Sequence, residues 1–162
     1  MRFEYLANYP DLIPALAHWH VAEWGGLYED WKTEVAETEF RSQGVGGIPT
    51  TIILLEDNEL VGSVSLIETD LETLPPYTPW LASLFVHPDF RGRGLGKLLV
   101  QRVVQEAAKL GVDRLYLFTP EHQAFYQKLG WEVEGYYPHR GTELPLMSIK
   151  VRVEDLSLTP SV

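Results

Sequence analysis

Runs of apolar residues separated by turn-forming residues predict seven β-strands along the chain. Each run is rich in Val, Ile, Leu or aromatic residues and is bounded by glycine, proline or a short polar stretch. The strands are expected at 2–6, 50–55, 60–67, 80–86, 114–119, 131–137 and 146–152. The polar residues 56–59 between the second and third strands predict a β-hairpin.

Apolar residues at helical spacing predict four helices between these strands. They are expected at about 11–24, 30–42, 95–110 and 120–129, with Asp11 and Asp30 as N-caps of the first two. The resulting order is β-α-α-β-β-β-α-β-α-β-β. It predicts a single α/β (α+β) domain over residues 1–162, with a mixed, mostly antiparallel central sheet, flanking helices and a loosely ordered tail from about residue 154.

The composition is typical of one soluble domain, because 45% of the residues are apolar and 22% are charged. The absence of cysteine excludes disulfides and a thiol nucleophile, and it is consistent with a reducing cytoplasmic location. No apolar run is long enough to span a membrane, so no membrane association is expected. The formal net charge of −10 disfavours nucleic acid as a partner and favours a cationic substrate such as an amine, although solubility alone explains it equally well.

The candidate chemistry begins at residues 84–97, where the sequence reads LFVHPDFRGRGLGK. Glycines at 92, 94 and 96 alternate with Arg91, Arg93 and Lys97 directly before the third predicted helix. A helix N-terminus has unpaired N–H groups that attract anions, and glycine lets the backbone approach them closely. The stretch therefore predicts a phosphate or pyrophosphate site. A solvated turn that caps the helix is the alternative.

Spacing excludes two well-known phosphate loops. A P-loop needs serine or threonine where Leu98 stands, and G-x-G-x-x-G needs glycine where Lys97 or Leu99 stands. The pattern that remains, R-x-x-G-x-G at 91–96 after V-x-P at 86–88, resembles the acyl-CoA loop of the GCN5-related N-acetyltransferase (GNAT) superfamily. A second segment, TPEHQAFYQKLGW at 119–131, resembles that family's N-x-x-A-x-x-[FL]-Y-x-x-x-G-[FW]. The resemblance covers roughly residues 15–151 and implies a GNAT-like fold.

Three residues depart from the family pattern. Thr119 stands where asparagine is common, so it would replace an amide contact to the CoA arm only in part. His122 stands where alanine is common. Arg114 stands where some relatives carry an acidic general base, so the base of this chain must lie elsewhere.

The resemblance implies acetyl-CoA as the donor substrate and assigns its contacts. Backbone groups at 84–86 would meet the pantetheine arm if this strand is splayed from its neighbour, although a buried strand would show the same apolar run. The pyrophosphate would lie on N–H groups of the glycine loop. The implied CoA-binding residues are Leu84, Phe85, Val86, Arg91, Gly92, Arg93, Gly94, Leu95, Gly96, Lys97 and Thr119.

Tyr126 resembles the family's general acid, which would protonate the departing thiolate. A phenol has an ordinary pKa of about 10 and is protonated at pH 7. A tyrosine packed in the core is the alternative. The general base stays open, and an ordered water chain would also serve. The candidates are Glu68, Asp70 and Glu72 after the hairpin and, less favoured, Glu23, His20 and His87.

The sequence therefore predicts an acetyl-CoA-dependent N-acetyltransferase that acts directly on a primary amine of a small molecule or peptide. A non-catalytic acyl-CoA-binding or sensing module is the alternative, and a third reading is a protein that binds partners through an exposed tryptophan patch. No metal is expected, since His18 and His20 lie on different helix faces and no spacing resembles a zinc site. The amine, the strictness for acetyl and the oligomeric state, including a homodimer, stay open.

Aromatic residues are the second feature of the predicted substrate side. Tryptophans 19, 24 and 31 are expected to pack between the first two helices, with a pocket wall as the alternative. An aromatic and acidic pocket suits a cation with apolar parts. The aromatic candidates for that pocket are Trp24, Tyr28, Tyr77, Trp80, Tyr136 and Tyr137.

Overall fold

The computed structural model describes residues 1–26, 30–70 and 76–157, and these form a seven-stranded sheet with helices on both faces. The strand order is β1-β2-β3-β4-β5-β7-β6, and every neighbouring pair is antiparallel except β4 and β5. The strands are Arg2–Tyr5, Thr50–Glu56, Glu59–Ile67, Trp80–Val86, Arg114–Phe118, Glu132–His139 and Thr142–Lys150 (β1 to β7). The helices are Ile13–Trp24, Thr33–Arg41, Leu95–Lys109 and Gln123–Lys128 (α1 to α4). The predicted fold class and element order are confirmed.

Alternation along the strands distributes apolar side chains between two cores. In β2, Ile52 and Leu54 face the core that α3 covers. Ile53 and Leu55 face the opposite core, which α1 and α2 cover. The sheet is therefore buried on both faces along its N-terminal half, and this fixes where α1, α2 and α3 lie around the central strands.

The N-caps predicted for the first two helices are wrong. Asp11 lies in a 3-10 turn, Pro10–Leu12, and α1 follows Leu12 without a side-chain cap. Asp30 has a left-handed φ of 57° in the turn before α2, which follows Lys32. Packing replaces capping here, because α1 buries residues along one face against the sheet.

The last hairpin is longer than its apolar runs indicated. The connection between β6 and β7 consists of Arg140 and Gly141, with φ of 48° and 78°. Positive φ at both residues of a two-residue loop matches the twist of the flanking strands and lets the ladder continue to the turn. At the C-terminus, Val153–Ser157 form a 3-10 turn beside α3, and residues 158–162 lie outside the described residues.

Candidate active site

The strands β4 and β5 diverge, and this opens the middle of the sheet. Their parallel ladder contains a single residue pair, Trp80 with Tyr116, although β4 continues to Val86 and β5 to Phe118. The splayed strand that the sequence could only postulate is therefore present. Beyond Trp80 no ladder pairing joins β4 to β5 within the described residues, so backbone groups on that edge of β4 can meet a ligand. The Val86 carbonyl oxygen is an exception, because it accepts a bond from Arg91.

A bulge lies in β4 beside this gap. Ser63 pairs with Phe85 and Ser65 with Ala82, so two steps along β3 correspond to three along β4. The extra residue leaves Ser83 with a φ of 55°, which is uncommon for a residue with a side chain. The bulge breaks the regular ladder at Ser83 and Leu84, and both residues line the cavity described next.

A cavity of about 550 Å³ lies between the diverging strands, α1, α2 and the start of α4. Thr119, which the family resemblance assigns to the CoA arm, and Tyr126, which it assigns as general acid, both line it. The Thr119 Oγ1 accepts a 3.0 Å hydrogen bond from the His122 N–H, so this hydroxyl also fixes the start of α4. Its remaining lone pair and its proton stay available to a ligand.

Tyr126 is almost fully buried, with 6% of its surface exposed. Its ring packs edge-on against Phe125 and Trp131, with centroids 5.0 and 5.9 Å away. Burial raises the pKa of its phenol well above the ordinary value, so the hydroxyl stays protonated at neutral pH. Among the described residues no hydrogen-bond partner of this hydroxyl was found, and the side chain lines the cavity.

A second, smaller cavity of about 200 Å³ lies at the glycine loop. A 3-10 turn at Pro88–Phe90 leads into it, and α3 begins at Leu95 with Gly94 as N-cap. Gly92 and Gly94 have φ of 82° and 76°, a conformation that favours glycine. No side chain caps α3. Residues that line this cavity are Val86, Phe90, Arg91, Gly92, Gly94, Leu95, Gly96, Lys97 and Phe125.

The two arginines of the loop already have partners. The Arg91 Nε donates to the Val86 carbonyl oxygen at 2.8 Å, and its guanidinium lies 3.7 Å from Glu23. Arg93 forms two hydrogen bonds to Glu56, of 2.9 and 3.1 Å, and lies outside the lining of the loop cavity. These bonds lower the pKa of the Glu56 carboxyl.

Lys97 differs from both arginines. It is exposed at the cavity and has no carboxylate partner within the part of the chain that the structure describes. The lining therefore carries two positively charged side chains, Arg91 and Lys97, and of these Arg91 is already held by Glu23 and the Val86 carbonyl oxygen.

The lining of the large cavity also contains aromatic rings and carboxylates, in addition to Thr119 and Tyr126. Trp24 and Trp31 line it, so two of the three early tryptophans form a pocket wall rather than only packing between helices. Trp19 instead stacks on Phe85, 5.8 Å away. The carboxylates of the described lining are Glu39, Glu68 and Asp70, and that lining contains no lysine or arginine.

Buried hydroxyls complete this wall. The Ser65 Oγ lies 2.7 Å from the Thr51 Oγ1, which also hydrogen-bonds to the Gln43 Oε1. Ser65 and Gln43 both line the cavity. The wall can therefore accept positive charge at its carboxylates and hydrogen-bond to polar groups beside them.

The remaining sequence candidates fall into separate places. Glu68 and Asp70 line the large cavity, whereas Glu72 and Tyr28 lie outside the described residues. Tyr77 stacks on Tyr116, and Tyr136 donates a hydrogen bond to Gln123. Trp80 and Tyr137 pack in a small core on the sheet. The described lining of the large cavity does not include the candidates Tyr77, Trp80, Tyr136 and Tyr137.

The histidine candidates for the base are held away from the cavity lining. His20 is fully buried, its Nε2 lies 3.0 Å from the Ser63 Oγ, and burial lowers the pKa of its imidazole to about 3. The His87 Nδ1 accepts a bond from the Asp89 N–H. Within the described ranges no cluster of three or more metal-ligating side chains was found, and no described helix is long and apolar enough to cross a membrane.

The sequence analysis gave no role to Glu39 or to His122, and both line the cavity. Glu39 projects from α2, and its carboxylate accepts a 3.2 Å hydrogen bond from the Trp31 indole. His122 was noted only as a departure from a pattern, yet it lines the cavity with Tyr126. The spacing of four residues between His122 and Tyr126 was the available signal, because residues four apart share a helix face.

The amino-acid sequence of this chain matches known proteins. The model of the acetyltransferase (GNAT) family matches residues 13–131. An uncharacterized N-acetyltransferase, ycf52, of Pyropia yezoensis is 38% identical over 47 residues, which are 28% of this chain and 27% of that protein. The curated relative is therefore covered over about a quarter of its length.

Solved structures share the fold over nearly the whole chain. An aminoglycoside 6'-N-acetyltransferase complexed with coenzyme A has a TM-score of 0.72 at 20% identity, covering 94% of this chain and 98% of that one. The structure of yncA from Salmonella typhimurium with its cofactor acetyl-CoA has a TM-score of 0.72 at 18% identity, covering 94% of both chains.

Proposed function

The chain belongs to the GNAT acetyltransferase family, and on that premise we propose that it transfers an acetyl group from acetyl-CoA directly to a primary amine of a small molecule or peptide. One observation carries the proposal. The glycine loop and the gap between β4 and β5 form neighbouring cavities, since Phe125 lines one and the adjacent Tyr126 lines the other. The diphosphate and the thioester of one acetyl-CoA molecule can therefore be bound in adjacent cavities.

The loop residues fit the diphosphate of CoA. The first turn of α3 presents N–H groups without a side-chain cap, and Lys97 adds a positive charge. Gly92 and Gly94 keep this surface free of side chains. Since Arg91 and Arg93 are held by Glu23 and Glu56, the backbone and Lys97 would carry most of the contact.

The pantetheine arm would lie along the bulged part of β4. Leu84 lines the large cavity and Val86 lines the loop cavity, so this strand connects the two. The Val86 carbonyl oxygen already accepts a bond from Arg91, and the arm would therefore pair with backbone groups nearer to Leu84. Thr119 would offer its hydroxyl from the facing strand end.

Tyr126 would act as the general acid. Acetyl-CoA supplies the thioester, and its sulfur leaves as a thiolate that needs a proton. The raised pKa of the buried phenol keeps that proton in place until the thiolate forms. The carboxylates Glu39, Glu68 and Asp70, together with the rings of Trp24 and Trp31, would attract and hold a cationic amine.

The proposal is tested by incubating the protein with acetyl-CoA and a panel of amines and measuring released thiol. Thiol release that depends on the amine, with N-acetylated product in the mass spectrum, is expected. Competition calorimetry with NADH and ATP should leave acetyl-CoA bound. Tighter binding of either nucleotide would contradict the assignment of acetyl-CoA as the donor. Binding of acetyl-CoA without turnover would favour a non-catalytic acyl-CoA-sensing module instead.

A further inference from the structure

His122 lies at the reaction end of the large cavity. It is the N-cap of α4, and its carbonyl oxygen accepts the Tyr126 N–H bond of 3.2 Å, one helical turn further along. Its own N–H is fixed by the 3.0 Å bond to the Thr119 Oγ1. Backbone bonds thus hold His122 between the two side chains assigned to the donor.

The ring of His122 combines two properties that a proton acceptor needs. The residue lines the cavity and is also exposed, so it connects the cavity with bulk water. Imidazole is the side chain that exchanges protons near neutral pH. Neither His20, which is fully buried, nor His87, which lies outside the cavity lining, combines both properties.

The carboxylates of the wall are less suited to this task. Carboxylic side chains ordinarily have pKa values of about 4, so they accept a proton poorly from an ammonium whose pKa is about 10. A base is most effective when its pKa lies near the working pH. Glu39 is in addition held by the Trp31 indole. The carboxylates therefore attract the ammonium, and a different group must deprotonate it.

We propose that His122 is the general base of the acetyl transfer, an inference that rests on the proposed function. Neutral His122 takes one proton from the bound ammonium and releases it to solvent through its exposed face. The amine lone pair then forms the C–N bond to the thioester carbonyl carbon while the C–S bond breaks.

The remaining protons balance through the same two side chains. The thiolate takes the phenolic proton of Tyr126, and His122 takes the second proton of the acylated nitrogen. That imidazolium then returns its proton to the Tyr126 phenolate. The products are the amide, free CoA thiol and one proton in solvent, with both side chains restored.

The charged and titratable groups that line the cavity with His122 come from three elements. Glu39 lies on α2, Glu68 and Asp70 follow β3, and Tyr126 lies on α4. Glu121 directly precedes His122 in the chain. The three lining carboxylates favour a bound ammonium, whereas the buried Tyr126 phenol stays protonated. The histidine is therefore the group expected to shape the acid limb of the pH profile.

The test is the pH dependence of amine acetylation in His122→Gln, with saturating acetyl-CoA. Wild-type kcat/KM should fall on the acid side between about pH 8 and 5, where imidazoles titrate. The variant should lose roughly 10²-fold at pH 7. Its rate should instead rise about tenfold per pH unit toward the pKa of the amine, about 10, and added imidazole should partly restore activity in His122→Ala.

Two controls separate this role from folding and from donor binding. His18→Gln changes an exposed histidine of α1 that does not line the cavity, and its profile should match the wild type. Acetyl-CoA affinity measured by calorimetry should be unchanged in His122→Gln, because the Thr119 bond uses the backbone N–H.

Each other result overturns a specific statement. An unchanged rate and profile in His122→Gln would place the base elsewhere. Lost acetyl-CoA affinity in that variant would make His122 a binding residue instead. Absence of thiol release by the wild-type protein with every amine would overturn the proposed function together with this inference.

Discussion

At the scale of single residues, burial acts on Tyr126 and His20 in the same physical way. It disfavours the charged form of each, which raises the pKa of the phenol and lowers that of the imidazole to about 3. For Tyr126 the outcome is a proton held ready beside a cavity. The His20 imidazole lies in an aromatic cluster, and its one hydrogen-bond partner among the described residues is Ser63. For His20 the outcome is a loss of folding stability that grows as the pH falls.

Replacing Tyr126 by phenylalanine tests the general acid. The variant keeps the ring contacts to Phe125 and Trp131 and loses only the hydroxyl of a residue that lines the cavity. A thiolate is a fair leaving group, so kcat should fall about 10- to 100-fold, at the low end of general acid catalysis, with acetyl-CoA affinity retained.

The matched control for this variant is Tyr136→Phe. It removes the hydroxyl that bonds to Gln123 on the same short helix and should leave kcat unchanged. Full activity in Tyr126→Phe would make that tyrosine structural, and a loss of acetyl-CoA affinity would assign its hydroxyl to the donor instead.

The buried His20 makes the stability of the fold depend on pH. Above pH 6.5 the imidazole is neutral in both states and contributes nothing to this dependence. Between pH 6.5 and about 3 the unfolded chain binds a proton that the folded chain excludes, so stability falls as the pH falls. The free energy of unfolding, measured by urea titration, should fall between pH 7 and pH 5. This fall should be about 2 kcal/mol larger in the wild type than in His20→Gln.

Exposed His18 provides the control for this measurement. His18→Gln should keep the full pH dependence of the wild type, since this imidazole is accessible in the folded chain. Equal pH dependence in wild type and His20→Gln would mean that His20 is protonated without unfolding.

Residue identities could be predicted where a local pattern carries them. The loop glycines came from a local signal, a glycine-rich stretch directly before a helix, whereas the role of Tyr126 came from the resemblance of residues 119–131 to a segment of the GNAT family. Glu39 could not be found this way, since its place in the wall depends on how α2 packs over β2 and β3. The pairing of Arg93 with Glu56, which lies 37 residues away in sequence, is equally a tertiary fact.

At the scale of elements, the start of α3 and the gap beside β4 form the donor side. The loop was predictable because glycine tolerates the positive φ that Gly92 and Gly94 adopt. The gap could not be predicted, because the apolar sequence of β4 would be the same whether β5 paired with it along the full length or only at Trp80. The bulge at Ser83 is likewise invisible in the sequence.

Gly94→Val tests the loop as a donor site. Gly94 has a φ of 76°, and a Cβ at this position would meet no other atom within 4 Å. A valine is therefore strained by its backbone alone, at about 1 to 2 kcal/mol. Its side chain would also stand in the loop cavity, where we expect acetyl-CoA affinity to fall at least tenfold by calorimetry.

The opposite end of α3 offers the matched control. Gly111 has a φ of 75° and equally open surroundings but lies outside both described cavities. Gly111→Val should lower the melting temperature by a similar amount and leave acetyl-CoA affinity intact. Unchanged affinity in a folded Gly94→Val protein would contradict the assignment of the loop.

At the scale of the whole molecule, topology turns local patterns into a site. The strand order places β4 beside β5, although α3 separates these strands in sequence, and the two strands diverge beyond the pair of Trp80 with Tyr116. The order of the elements along the chain and a mostly antiparallel sheet were predicted, whereas this order of the strands across the sheet was not. The cavity volume and the set of carboxylates that line the cavity could not be predicted, because they depend on α1, α2 and the residues after β3 meeting in space.

Charge is the property of the whole molecule that bears on the acceptor. The formal net charge is −10, and three carboxylates line the described part of the large cavity. A field of this sign raises the encounter rate of a cation, and the effect weakens as salt shortens the Debye length from about 30 Å at 0.01 M to about 8 Å at 0.15 M. The charge should therefore be visible in salt-dependent kinetics.

The measurement compares a dicationic diamine with a zwitterionic amino acid as acceptors, at saturating acetyl-CoA so that salt effects on the anionic donor do not enter. Raising the ionic strength from about 0.01 to 0.15 M should lower kcat/KM about fivefold for the diamine and less than twofold for the amino acid. Glu68→Gln should reduce the salt response of the diamine, because it removes one lining carboxylate. Equal salt dependence for both acceptors would mean that the negative charge serves solubility and that recognition of the amine rests on the rings and hydroxyls of the wall.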